Sequence, residues 1–157
     1  MFAEGGCACG DVRYALHKSP LIVHACHCTD CRRLTGSAYA VNAWIEQEFV
    51  EQKSGTLCKF ERKGGSGSPH DVHFCSRCGT AVWSRYHRAP GTYWWVRVGT
   101  LDRPDLVSPD VHIWTRSKHP SVTLPDGVPV FEAYYERDKV WSQASLARME
   151  AHLRKSR

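Results

Sequence analysis

The chain has 157 residues, 24% of them charged and 42% hydrophobic, with a formal charge of +5 and eight cysteines. That length suits one domain with a buried core. No apolar run approaches the roughly 20 residues of a membrane-spanning helix. The opening MFAEGGCACG lacks the basic and apolar regions of a secretory leader. A cytoplasmic, reducing location away from membranes is therefore expected, where eight cysteines are metal ligands or free thiols rather than disulfide partners.

In chain order, Val12, Tyr14 and Leu16 alternate with Arg13 and Ala15, the period of a strand with one buried face. Residues 21–25 look similar. A short helix is predicted from Thr29 to Gly36, capped by Thr29 or Asp30. Strands follow at 38–45, 56–62, 72–74 and 80–86, with the Gly-rich tract Gly64–Pro69 read as a surface loop. Residues 92–100 (TYWWVRVGT) place Trp94, Val96 and Val98 on one face and Tyr93, Trp95 and Arg97 on the other. Aromatic and β-branched enrichment, punctuated by Gly and Pro, gives two further strands at 111–114 and 130–135. A helix from about Asp138 to Lys155 carries Leu146, Met149 and Leu153 on one face, with Trp141 near its start. Its basic residues Arg148, Arg154 and Lys155, with Arg157 beyond, read as a solvated helix end. The fold class is mainly β, with a short helix near 29–36 and a C-terminal helix.

Three cysteine groups carry the chemistry. Gly5-Gly6-Cys7-Ala8-Cys9-Gly10 is a C-x-C pair between glycines that permit a tight turn. Cys26-His27-Cys28-Thr29-Asp30-Cys31 is a C-x-C-x-x-C triad, and Phe74-Cys75-Ser76-Arg77-Cys78-Gly79 is a C-x-x-C knuckle. A redox C-x-x-C opens a helix inside a βαβ unit, whereas this one lies between strands, so metal is favoured. Thiolates bind zinc tetrahedrally at about 2.3 Å and must converge from short bent segments. Seven such ligands divide into a closed site of four (Cys7, Cys9, Cys75, Cys78) and a site of three (Cys26, Cys28, Cys31) that lacks a fourth protein ligand, as catalytic zinc sites do. The count also allows the triad to take a cysteine from elsewhere. Nine histidines make the nearness of His24, His27, His70 and His73 to the cysteines uninformative about a fourth ligand. Cys58 shares a strand face with Phe60 and reads as a buried, inert thiol. Cys31 falls in the first turn of the predicted helix, where unpaired N–H groups favour a thiolate, and Arg32 and Arg33 follow to offset the charge. Two Zn²⁺ ions, one with four thiolates and one with three, lower the formal charge from +5 to +2, which argues against a nucleic-acid partner. The tryptophans at 44, 83, 94, 95 and 114 read as core more than as pocket wall.

G-G-C-A-C-G, C-H-C-T-D-C-R-R-L-T-G-S-A and F-C-S-R-C-G-T resemble the glutathione-dependent formaldehyde-activating enzyme family, the centromere-protein-V-like zinc proteins, in order and spacing. Gly99–Pro104, His112–Lys118 and Asp126–Phe131 resemble that family's later segments. The pattern departs at His73, where a basic Arg is common, and at His119-Pro120-Ser121, where a tryptophan is frequent. The resemblance covers about residues 5–132, leaving 133–157 as a C-terminal strand and helix extension packed on the same single domain. It implies stacked antiparallel sheets (the β-tent), structural zinc at Cys7, Cys9, Cys75 and Cys78, and exchangeable zinc at Cys26, Cys28 and Cys31. It further implies a carbon–sulfur lyase-like activity on the adduct of a small thiol, glutathione, with formaldehyde or a related aldehyde. Arg32 would assist at the open site, and His112 and Lys118 would hold a carboxylate of the thiol. A non-catalytic zinc-stabilised binding module or glutathione carrier is the alternative.

Overall fold

A computed structural model describes residues 1–155; Ser156 and Arg157 lie outside the described residues. Ten strands form: β1 (Ala3–Gly6), β2 (Arg13–Leu16), β3 (Ile22–Cys26), β4 (Ala40–Glu46), β5 (Val50–Ser54), β6 (Leu57–Lys63), β7 (Pro69–Cys75), β8 (Ala81–Tyr86), β9 (Tyr93–Arg97) and β10 (Val111–Ile113). β1-β2-β5 make a three-stranded sheet, and β10-β3-β4-β9-β8-β7-β6 make a seven-stranded one. The fold is mainly β, as the period-two patterning predicts. One pairing departs from the antiparallel expectation: β10 runs parallel to β3, with Ile113 opposite Cys26. Residues 98–110 carry the chain away from β9 through two single 3-10 turns before it rejoins the sheet beside β3.

The central strands of the larger sheet are buried on both faces, so alternation there sorts side chains between two cores rather than between core and water. On one face Val23, Ala43, Ile45 and Val96 meet Val12, Tyr14 and Leu16 of the smaller sheet. On the other Ile22, Trp44, Tyr93 and Trp95 meet Tyr135, Trp141 and Met149 from the C-terminal segment. Trp94 packs with the first core and Trp95 belongs to the second, as the 92–100 pattern separates them. Arg97 therefore points to the second face, and it is only 5% exposed.

Several expectations are corrected. Residues 130–135 form no strand and pair with the sheet only through an isolated bridge, Val130 to His112, with the Tyr135 hydroxyl 2.6 Å from His24 Nε2 of β3. β1 and β5 escape a hydrophobicity search, one containing Gly5-Gly6 and the other the exposed VEQKS. Cys58 is exposed, not buried. β6 is the terminal strand of its sheet, and the face that Cys58 shares with Phe60 looks into solvent.

The expected C-terminal helix is two helices, α2 (Arg137–Val140) and α3 (Gln143–Lys155), with Trp141 in extended backbone between them. The break lets the Trp141 indole meet Trp44 edge-on at 5.0 Å and donate its N–H to the Tyr135 hydroxyl at 2.8 Å. Ser142 then restarts the helix, its hydroxyl accepting from the Ser145 N–H at 3.1 Å. Met149 is buried, and Leu146 and Leu153 pack on the same core as the stripe predicts.

α3 is also pinned by charge. Arg148 places Nε 2.7 Å and Nη2 2.8 Å from the two oxygens of Glu46, whose side chain is 1% exposed on β4. Removing one partner of a buried ion pair strands the other, at a cost of about 3–5 kcal/mol. Arg148→Ala is expected to lower unfolding stability by that order in urea titrations. A change below about 1 kcal/mol would show that Glu46 finds water instead.

Candidate metal centre

Two sulfur clusters form, and they are the two groups of the sequence count. Cys7, Cys9, Cys75 and Cys78 bring their Sγ atoms within 4.8 Å of one another, and so do Cys26, Cys28 and Cys31. A tetrahedron with metal–sulfur bonds of about 2.3 Å has edges of roughly 3.8 Å. The measured Cys7–Cys9 and Cys9–Cys75 separations of 3.5 and 3.8 Å match that figure. The donor chemistry and the spacing therefore fit a thiophilic ion at the four-sulfur set.

That set is built from two turns of the same design. After each pair a glycine in left-handed conformation, Gly10 (φ 78°) or Gly79 (φ 74°), returns its N–H to the first cysteine's carbonyl, at 3.0 Å to Cys7 and 2.9 Å to Cys75. The free N–H groups inside the turns point at sulfur. Val12 donates to Cys7 Sγ at 3.2 Å and Arg77 to Cys75 Sγ at 3.4 Å. Thr80 ties the turns together, accepting from the Ala8 N–H at 3.2 Å and lying 3.1 Å from Cys78 Sγ. The Thr80 hydroxyl and N–H hold the Cys78 thiol down to about 5. Arg77 bridges to Asp11 at 3.1 Å, closing the outside of the clasp.

The three-sulfur set sits where β3 ends and α1 (Thr29–Thr35) begins. The helix cap is Cys28 itself, one residue before the expected Thr29: its Sγ accepts from the Cys31 N–H at 3.3 Å. Gly36 in left-handed conformation closes the other end. Cys26 and Cys31 are buried and Cys28 half-buried. Thiol hydrogen bonds from Cys26 and Cys31, and backbone N–H groups of Cys31 and Asp30, hold the Cys28 thiol down to about 2, while the same bond pushes Cys26 well up.

The 112–118 segment is the floor behind this set. His27 donates its N–H to the Ile113 carbonyl at 2.9 Å, and Ser117 donates its hydroxyl to the His27 carbonyl at 3.1 Å. Arg32 donates Nη1 to the Ser117 carbonyl at 3.0 Å, so it ties α1 to this segment. His112 Nδ1 lies 2.9 Å from His27 Nε2, both rings buried, so one ring donates and the other accepts. Burial, then the charges of His112, Lys118 and Arg32, lowers His27 to about 4 and keeps it neutral. Lys118 donates Nζ to the Val122 carbonyl at 2.6 Å and more weakly to that of His119 at 3.4 Å. Arg33 is exposed.

Sequence reasoning missed what lies on the sheet side of the triad. Arg97 bonds the Asn42 side-chain carbonyl directly across β9 and β4. Its charge acts on Cys31, on His70 and on Tyr86. His70 and Tyr86 stack at 3.9 Å with their planes 8° apart. The β6–β7 hairpin leans on α1 through Arg62 and Asp30, 2.9 Å apart. The signal that could have found this patch is a charged residue on the inward face of a tryptophan-rich strand.

The model of the family described as "Glutathione-dependent formaldehyde-activating enzyme" matches residues 2–117, which hold both sulfur sets. The chain belongs to this family. A Halomonas elongata protein, named as a candidate glutathione-dependent formaldehyde-activating enzyme, is 34% identical over 87 residues, 53% of this chain and 55% of that protein. The chain thus matches about half the length of that curated relative. A crystal structure of a Rhodobacter sphaeroides protein superposes with a TM-score of 0.49 at 20% identity, covering 82% of this chain and 98% of that one. Among the described residues, no helix is long and apolar enough to cross a membrane.

Thiol accessibility tests the geometry. Cys9, Cys58 and Cys78 are exposed, so in metal-free protein these three are expected to react fastest with a thiol reagent. Zinc should then protect Cys9 and Cys78 but not Cys58, as read by mass mapping. Continued labelling of Cys9 and Cys78 under saturating zinc would show that the four-sulfur set holds no ion.

Proposed function

We propose that this family member binds two zinc ions and uses the Cys26, Cys28 and Cys31 centre to take up a small thiol, glutathione, and form or break its adduct with formaldehyde or a related aldehyde. One observation supports the reading above the rest: the seven clustered sulfurs fall into a set of four and a set of three. Four thiolates complete a tetrahedral shell and give a structural site. Three leave one position for an exogenous sulfur. Zinc bound there would supply a positive charge that lowers a thiol's pKa, so that the thiolate forms at neutral pH.

The chain's own residues bind and orient. The Cys28 cap and the N–H groups of Asp30 and Cys31 stabilise thiolate charge before any ligand arrives. Arg32, fixed on the Ser117 carbonyl, adds positive charge beside the triad. Lys118 carries three N–H donors and gives two of them to backbone carbonyls, leaving one for a carboxylate at the thiol's far end. His112, held by His27, is assigned to the same wall. In the reaction, sulfur forms a bond to the carbonyl carbon and the C=O π pair moves to oxygen. That oxygen takes up one proton, balancing the one the thiol loses, and the product is the S-hydroxymethyl thiol. Holding the two reactants together contributes up to about 7–11 kcal/mol in favourable cases.

Metal analysis with glutathione calorimetry tests the division. Wild type is expected to hold two zinc ions per chain and Cys28→Ser one, with its fold kept and glutathione binding lost. Cys75→Ser is expected to unfold, because a structural zinc site contributes folding free energy. One zinc in wild type, or unfolding of Cys28→Ser, would overturn the division. Turnover is read separately as hydroxymethylglutathione formation above the uncatalysed rate. Glutathione binding without acceleration would make the protein a thiol carrier.

A further inference from the structure

Arg97 is a cation buried to 5% exposure with no carboxylate within ion-pair distance among the described residues. An uncompensated buried charge costs several kcal/mol, so such a residue is kept only where an anion meets it. The metal-loaded triad is one negative charge nearby, but it does not use the guanidinium's hydrogen-bonding edge. Nη1 is taken by Asn42, while Nε and Nη2 are buried and reach no acceptor, sulfur included. Those two N–H groups form one side of the guanidinium fork, the side that matches the two oxygens of a planar carboxylate.

The surroundings extend the same pattern. Ser84 stands opposite Trp95 on β8, and Trp95 lies two residues from Arg97 on the same face. His70, on β7, stands opposite Tyr86, two residues further along from Ser84. Ser84 Oγ and both ring nitrogens of His70 are fully buried and unpaired among the described residues. The Ser84 hydroxyl and the His70 ring can each donate a hydrogen bond on that face. Arg97, Ser84 and His70 thus lie along one sheet face, and the charge of Arg97 reaches both Cys31 and His70.

We propose that Arg97, oriented by Asn42, is a carboxylate-binding subsite on the sheet side of the Cys26, Cys28 and Cys31 centre. This rests on the thiol-binding reading of that centre and specifies its substrate class: one of the two reactants carries a carboxylate close to its reacting atom. The carboxylate arrives either on the thiol or on the aldehyde, and in the latter case the carbonyl substrate is a small oxo acid rather than formaldehyde.

The test uses zinc-loaded wild type and Arg97→Met with two matched pairs of ligands. 3-Mercaptopropionate against 2-mercaptoethanol reads the thiol arm, and glyoxylate against acetaldehyde reads the carbonyl arm, each by calorimetry. The spectrum of cobalt-substituted protein reports sulfur entering the metal shell independently. In at least one arm the carboxylated ligand is expected to bind wild type about tenfold or more tighter than its neutral partner. That preference should vanish in Arg97→Met, and the arm that shows it names the source. Arg97→Lys, which keeps the charge and loses the fork, should retain the metal and lose most of the preference, and it serves where the methionine variant misfolds. Equal binding within both pairs, or a preference that survives both substitutions, overturns the subsite. A cobalt spectrum that no thiol alters, alongside Arg97-dependent glyoxylate binding, overturns the thiol reading and leaves the subsite standing.

Discussion

Everything in this fold depends on sulfur atoms from distant parts of the chain meeting within about a van der Waals diameter. Cys7 and Cys9 leave the end of β1, and Cys75 and Cys78 bracket the turn between β7 and β8. Bringing them within 4.8 Å docks the edge of the three-stranded sheet against the far half of the seven-stranded one. Four thiols at this spacing cannot all ionise unaided, because like charges at 3.5–3.8 Å repel strongly. A divalent ion bound there would reverse the sign of that interaction, so that metal binding and sheet docking would become one equilibrium. The apolar core beneath, Val12 and Leu16 against Val23 and Ile45, then needs to supply only what the clasp does not.

The cysteine groups were legible in the sequence because their geometry is local. Two thiols within a turn of three or four residues, followed by a glycine that can adopt positive φ, define a knuckle whatever the rest of the chain does. The assignment of both faces of 92–100 was legible for a similar reason, since alternation is a property of one strand. The missed parts need more than one strand. Arg97 and Asn42 are 55 residues apart and meet only through the β4–β9 register, while His70 and Tyr86 meet only through β7–β8. Nothing in a single-strand pattern sets those registers.

Other misses have different causes. The cap on α1 fell to Cys28 rather than Thr29 or Asp30 because the sulfur must already face the Cys31 N–H to complete the cluster, and that demand outranks ordinary cap preference. The C-terminal helix broke at Trp141 because an indole in the second core, with its N–H on Tyr135, outweighs the backbone hydrogen bonds lost at one junction. β5 was invisible because an edge strand made of VEQKS buries little and carries no apolar period. Cys58 was misplaced by the same edge effect, read in the opposite direction: a strand pattern says which residues share a face, not whether anything covers it.

The two sulfur sets answer one electrostatic problem in two ways. The four-sulfur set has Cys9 and Cys78 exposed, so water would screen much of the charge of four thiolates there. Arg77, within its second knuckle, is exposed and shared with Asp11. The triad has Cys26 and Cys31 buried, and water cannot do the same there. Its compensation is built into the protein: N–H groups of α1 on one side, Arg32 beside the helix, and Arg97 inside the sheet face. A site meant only to staple the fold gains nothing from such burial, since the exposed clasp already does that with fewer costs. A site that must accept a fourth, charged ligand does gain, because each added negative charge in a low-dielectric setting requires a fixed positive one already in place. Arg97, buried without an acidic partner among the described residues, fits that second kind of site, and on the proposed function the triad rather than the clasp is the centre at which chemistry is expected.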